Sequence, residues 1–240
     1  MRDQPEQQAP PVQRLRVRYA KRGRLRFTSH RDFSRAFERA VFRARIPMAY
    51  SSGFNPHPRI SYAGAAPTGS ASEAEYLELA LAEVVDPVAI HALLDEALPP
   101  GLDVLEVVAS PGGSLADLLE ASRWRIDVDA EHAVAADAVA RFLAAEEALV
   151  ERMTKKGMRA FDARGAVVAL AVLPDAPAPG RTSLDVVLRH GTPAVRPDDV
   201  LRGLEVVAGL SAGAAPLMTR LVQGPLLDGG EVGDPLAARA

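Results

Sequence analysis

The sequence predicts an α+β protein made of two tandem ferredoxin-like (βαββαβ) units. Stretches that alternate apolar and polar residues, the period of a half-buried strand, are interleaved with stretches whose apolar residues recur every three or four positions, the period of a helix. The order β-α-β-β-α-β is read in the first half of the chain, and a similar order, with one strand more, returns in the second. The 240 residues, 48% hydrophobic and 25% charged, are enough for two cores of ordinary composition. No sequence repeat links the two halves, so element order alone carries the expectation.

Residues 1–13 are rich in Gln and Pro and read as a disordered N-terminal tail. The first, basic unit spans 14–110. Its opening segment, Arg14 to Tyr19, alternates strictly, which puts Leu15, Val17 and Tyr19 on a core face and Arg14, Arg16 and Arg18 on the other. After a turn at Lys21-Arg22-Gly23 the alternation resumes, with Leu25 and Phe27 inward and Arg24 and Arg26 outward. Ser29 to Asp32 is a capping box opening a helix that Pro47 ends. Phe33, Ala36, Phe37, Ala40, Val41 and Ala44 form its apolar stripe. Arg31, Arg35, Arg39 and Arg43, one every four residues, form a second stripe facing solvent.

An Asn-Pro-His-Pro loop follows, then Ile60 to Ala63, a small-residue stretch, and a strand at Tyr76–Leu81. Asp86 and Pro87 open a helix to about Leu98, and a strand runs from Leu102 to Val108. Residues 111–122 read as a linker with a short helix. The acidic unit, 123–223, offers strands near Trp124–Val128, Leu149–Met153, Val167–Leu173, Ser183–Leu188 and Leu217–Val222. Its helices cover about Ala133–Glu146, with Val134, Ala138, Phe142 and Ala145 apolar, and Pro197–Val207. Residues 224–240 are expected to be a mobile tail.

Charge is distributed unequally. Met1 to Ile60 hold 14 Lys and Arg against 4 Asp and Glu, a net of +10; the remaining 180 residues hold 14 against 27, a net of −13. A concentrated basic surface is what a polyanion binder needs, with phosphate the leading ligand group; an Arg-rich solvated surface is the plainer alternative.

Several classes are excluded. Cysteine is absent, so the chain has no disulfide, thiolate zinc site, cysteine nucleophile or self-ligated iron–sulfur cluster. The five histidines, at 30, 57, 91, 132 and 190, lack metal-ligand spacing, so no metal or cofactor is indicated. The apolar run Ala166–Leu173 is far short of the ~20 residues of a membrane helix. With no apolar leader visible at the start, a cytoplasmic protein is expected. Gly209-Leu210-Ser211-Ala212-Gly213 has the form of a nucleophile elbow, but it follows a predicted helix and no His comes after His190, so it reads as a turn.

Three segments are candidates for function. At Thr28-Ser29-His30-Arg31-Asp32 a helix begins, and free N–H groups there favour an anion. Ser29 is explained by capping, whereas His30 and Arg31 are not required by it and are free to grip a phosphate or carboxylate. The Gly53–Tyr62 loop holds the chain's sole asparagine, Asn55, with His57 and Arg59 presented between stiffening prolines and Phe54 or Tyr62 placed to stack on a base. A well-formed hairpin without ligand is its alternative. Lys155 and Lys156, before Gly157, form a second basic cluster: an ordinary hairpin tip or a continuation of the phosphate track.

Tyr19-Ala20-Lys21-Arg22-Gly23, Arg26 to Asp32 and Ser52 to Pro58 together resemble the radical-SAM-associated domain of unknown function, a domain fused behind a radical-SAM domain or encoded as a separate protein beside one. The similarity extends to Pro67-Thr68-Gly69, Glu73-Ala74-Glu75-Tyr76 and, more weakly, Lys155-Lys156-Gly157 with Asp162, covering roughly residues 14–223. It implies a radical-SAM protein as partner and, through the RNA-processing and ribosomal genes that neighbour the separate form, an RNA context. It assigns no reaction.

Together these readings predict an RNA-binding or substrate-presenting accessory protein for a radical-SAM enzyme acting on tRNA or rRNA. Arg14, Arg16, Arg18, Arg24, Arg26, Arg31, Arg35, Arg39 and Arg43 would hold phosphates, with His57, Arg59 and Tyr62 at the reactive nucleotide. A metal-independent endoribonuclease with His30 or His57 as general base beside Tyr62 and Arg59 is the rival, and a protein-interaction module without RNA contact the third reading.

Overall fold

In a computed structural model the chain divides into two compact units, Met1–Asp117 with Leu236–Ala240, and Leu118–Pro235. The structure describes residues 7–154 and 157–237. It is a mixed α+β protein in which the strands pair antiparallel and four α-helices occur among the described residues.

The first unit contains β1 (Gln13–Lys21), α1 (His30–Arg43), β2 (Ile60–Ala63), β3 (Ala71–Leu81), α2 (Pro87–Ala97) and β4 (Val104–Ala109). β1 is flanked by β4 and β3, and β2 lies on β3. The register explains the two faces. Leu15 stands opposite Leu79 and Val17 opposite Leu77, so these four share the face that both helices cover. Phe33, Phe37, Ala40 and Val41 of α1, and Ile90 and Leu94 of α2, complete that core. As expected, Ser29 caps α1: its Oγ accepts from Asp32 N at 3.2 Å. Asp86 caps α2 by accepting from Val88 N at 3.0 Å.

Two local expectations are corrected. Gly23–Phe27 is a 3₁₀ turn and not a strand: with Gly23 at φ 54°, Leu25 N bonds Arg22 O and Thr28 N bonds Leu25 O, so the chain coils before it can pair. Phe27 consequently points outward, 59% exposed. α1 ends at Arg43, ahead of Pro47, in a turn with Arg45 at φ 53°.

The second unit contains β5 (Ala121–Val128), α3 (His132–Ala144), β6 (Leu149–Thr154), β7 (Gly157–Asp162), β8 (Val167–Val172), β9 (Thr182–Arg189), α4 (Pro197–Ala208) and β10 (Leu217–Gly224). β5 lies between β10 and β9, with β8 beyond β9, while β6 and β7 form a separate hairpin. In α3 the buried residues are Ala135, Ala138, Val139 and Phe142; Val134, expected inward, is 56% exposed. Gly203 is where α4 meets α3, because a Cβ there would come within 2.8 Å of the Phe142 ring. Gly209 closes α4 in the left-handed conformation, φ 71°, so the elbow-like segment begins as a C-cap. Residues after Gly224 are not bare tail: Leu227 N bonds Glu231 O, Gly233 N bonds Pro225 O, and Leu236 is buried. Of the expected N-terminal tail, residues 1–6 lie outside the described residues, and 7–12 are in neither helix nor strand.

Two polar networks stabilise this unit. The wholly buried Asp199 carboxylate accepts from Arg196 N at 2.8 Å and pairs with Arg152, whose guanidinium lies over the Phe161 ring at 4.8 Å. Burial holds the Asp199 carboxyl above the usual range despite the neighbouring arginines. His190 Nδ1 donates to Leu119 O at 2.7 Å, and Ser122 Oγ, which accepts from Trp124 Nε1 at 2.8 Å, lies 2.9 Å from Nε2. Burial lowers the His190 pKa below its ordinary 6.5.

Asp199→Ala should cost about 3–5 kcal/mol in urea unfolding, because it strands Arg152 and undoes the α4 cap. His190 gives a pH signature. The unfolded chain takes up a proton at higher pH than the folded one, so stability present above about pH 6.5 should be lost as pH falls below it. In His190→Gln that part of the loss should vanish.

Candidate nucleic-acid interface

The arginines of the first unit separate into two populations. Those on β1 are engaged. Arg16 stands opposite Glu78 in the β1–β3 ladder and is only 2% exposed; it pairs with the Glu78 carboxylate at 3.4 Å and donates to Gly112 O at 2.7 Å. Arg14 pairs with the same carboxylate at 3.0 Å, and Ser110 Oγ donates to it at 2.8 Å. Arg18 donates to Glu73 O at 2.9 Å, and Arg22 bridges Glu73 and Asp103. The expected solvent-facing arginine face is therefore largely engaged: Arg16 is buried and ion-paired, Arg18 is half-buried, and Arg14 is exposed but ion-paired. Burying a guanidinium requires a carboxylate beside it, and β3 supplies that carboxylate in register.

Those on α1 are not engaged. Arg31, Arg35 and Arg39 are exposed, with no ion-pair or hydrogen-bond partner among the described residues; Arg43 donates only to Ala97 O. Successive members lie about 6 Å apart along the helix, close enough for like-charge repulsion of about 0.2–0.5 kcal/mol per pair. Phe42, 80% exposed, sits in this stripe and lines a groove with Arg35, Glu38, Arg39 and Arg43. It was legible in principle, since it follows Arg39 by three residues and Arg35 by seven.

Arg24 is also exposed without a partner among the described residues, and Arg26 lies over the Phe27 ring at 4.4 Å. The Gly53–Tyr62 loop is a closed turn: His57 N donates to Ser51 Oγ at 3.1 Å, His57 Nδ1 lies 2.9 Å from the same oxygen, and Ser51 N bonds His57 O. Phe54, Asn55 and His57 are exposed, and the Arg59 side chain has no partner among the described residues. Lys155 and Lys156 lie outside the described residues.

His30 and Tyr62 come together, with ring centroids 5.0 Å apart, edge to face. They line a cavity of about 30 Å³ with Tyr19, Lys21, Thr28, Phe33 and Glu75; His57 and Arg59 do not line it. Lys21 and Glu75, which the charge reading passed over, are nearly fully buried and both hold the Ala66 backbone: Lys21 Nζ donates to Ala66 O, and Ala66 N donates to the Glu75 carboxylate, each at 3.3 Å. Burial, opposed by a Ser34 hydrogen bond and helped by the Glu38 charge, pushes the Tyr62 phenol up to about 12, so at neutral pH it is a hydrogen-bond donor and not a base. Among the described residues no three His, Asp or Glu side chains could share a metal ion, and no helix is long and apolar enough to cross a membrane.

Residues 14–197 match a family described as an uncharacterized protein conserved in bacteria, DUF2344. The chain belongs to this family. No curated protein matches it. The DUF2344 span takes in β1, α1, the Gly53–Tyr62 loop and every residue lining the cavity, and it ends at the first residue of α4.

Arg35 lies four residues from Arg31 and Arg39 but three from Asp32 and Glu38, so Arg35→Glu exchanges one pair of repulsions for another and should leave stability within about 0.5 kcal/mol of the parent. Chemical denaturation of the variant beside the parent protein checks this; a loss of more than about 1 kcal/mol would mean that Arg35 already has a partner.

Proposed function

We propose that this DUF2344 protein binds RNA through α1 and presents it, as a non-catalytic accessory partner, to a radical-SAM enzyme acting on tRNA or rRNA. The observation that carries the reading is the unpaired stripe Arg31, Arg35 and Arg39 beside exposed Phe42. A fold that places like charges in a row, while neutralising the arginines of the adjacent strand, supports a polyanion as the missing counter-charge. Exposed aromatics next to those cations suit unpaired bases, which stack on ring faces irrespective of sequence. The resemblance carried by Thr28–Asp32 and Ser52–Pro58 supports the radical-SAM partner, and both lie within the family match. We take the chain to act in the cytoplasm, where such a substrate is found.

Both units are read here as ferredoxin-like. The strand orders β4-β1-β3-β2 and β10-β5-β9-β8 coincide once the β6–β7 hairpin is treated as an insertion between α3 and β8.

A second reading is favoured by one observation, the His30–Tyr62 pair. An imidazole beside a protonated phenol is a plausible general base and donor for metal-independent RNA cleavage. Labelled tRNA incubated with chelator separates the two: cleavage that disappears in His30→Ala supports the nuclease, and intact tRNA supports the accessory role.

For the leading reading, affinity for single-stranded RNA measured by fluorescence anisotropy should fall linearly with salt on logarithmic axes. The double substitution Arg35→Glu, Arg39→Glu should weaken binding about tenfold or more and flatten the slope, whereas Arg14→Ala should change neither much. RNA binding that is absent at low salt, or that is unaffected by the double substitution, would overturn it.

A further inference from the structure

The lining of the cavity at the start of α1 defines the chemistry of the group it can take. Tyr62 Oη is buried and left unsatisfied by the geometry around it, although the Ser34 hydroxyl lies near enough to interact with it. Ser34, the neighbouring hydroxyl, is turned to His30, donating to its carbonyl at 2.9 Å with Nδ1 3.2 Å away. The His30 ring is exposed, and its Nε2 has no partner among the described residues. Two opposite charges, Lys21 and Glu75, line the same space, so it favours neither an anion nor a cation but a neutral dipolar group. Its volume, about 30 Å³, accommodates one or two water-sized groups and no base or phosphate.

A hydroxyl meets each of these requirements. It is small, neutral and both donor and acceptor, so it can accept from Tyr62 Oη while donating to His30 Nε2. Position supplies the rest. His30 is the first residue of α1 and Arg31 the first arginine of the stripe, so the cavity opens where the cationic track begins.

Resting on the RNA-binding reading above, we propose that the Tyr62–His30 cavity receives a ribose 2′-hydroxyl, and that the protein thereby tells RNA from DNA. The α1 arginines contact phosphates common to both polymers; the cavity tests the one atom that differs.

The test uses three short single-stranded oligonucleotides of one sequence, with uracil in all: ribose, 2′-deoxyribose and 2′-O-methylribose. Anisotropy titrations at low salt should show the ribose strand bound about three- to tenfold tighter than the other two, the methyl ether being too large for the space. Tyr62→Phe keeps the ring against Phe33 and should remove the preference by weakening ribose binding alone. Arg35→Glu with Arg39→Glu should weaken all three strands alike and leave the preference in place. Equal affinity for ribose and deoxyribose strands, or a preference that survives Tyr62→Phe, would overturn the cavity assignment while leaving RNA binding standing. Failure of all three strands to bind would overturn both.

Discussion

Glu78 faces Arg16 across the β1–β3 ladder, and much of the first unit follows from that pairing. A guanidinium that is 2% exposed survives only with its charge compensated and its donors occupied, and Glu78, Gly112 O and Gly113 O do both. With Arg16 fixed, Leu15 and Val17 must face α1 and α2, since a one-residue slip would send the arginine into the aliphatic core. The same carboxylate takes Arg14, and Glu73 and Asp103 take Arg22. Glu78, Glu73 and Asp103 are thus spent on Arg14, Arg16 and Arg22, while Arg31, Arg35 and Arg39 have no ion pair among the described residues. The surplus of positive charge that remains is confined to one helix face and its flanks.

This partition changes what the basic N-terminal quarter of the chain means. A net of +10 suggests a diffuse cationic surface, whereas the structure divides it into a structural half and an available half. Available charge is the part relevant to binding, because removing a buried arginine unfolds the protein before it can report on a ligand. The cavity shared by His30 and Tyr62 adds a different kind of feature at the start of α1: small and charge-balanced by Lys21 and Glu75. In the proposed reading, one surface attracts a chain of phosphates and the other examines a single group.

What the sequence revealed and what it hid follow from range. The Ser29 cap, the apolar stripe of α1, the Asp86-Pro87 start of α2 and the alternation of β1 are set by neighbours within a few residues, and all were legible. The fate of Arg16 was not, because its cover comes from residues about sixty and nearly a hundred positions away. Alternation shows that two faces differ without showing which one meets water. Arg24–Phe27 was misread for a related reason: four alternating residues fit a strand, but backbone bonds from Arg22 and Leu25 coil them. The cavity needs residues 19–76 brought together, so His30 and Tyr62 were named without sign of their meeting, and Lys21 and Glu75 were not named as site residues at all.

The division between spent and available arginines can be measured in one experiment. Limited modification by an arginine-selective dicarbonyl, mapped by mass spectrometry with and without single-stranded RNA, reports the accessibility of each guanidinium. Arg31, Arg35 and Arg39 should react first and be protected by RNA, while Arg16 and Arg22 react slowly under both conditions. Rapid modification of Arg16, or RNA protection centred on β1 and absent from α1, would contradict the account.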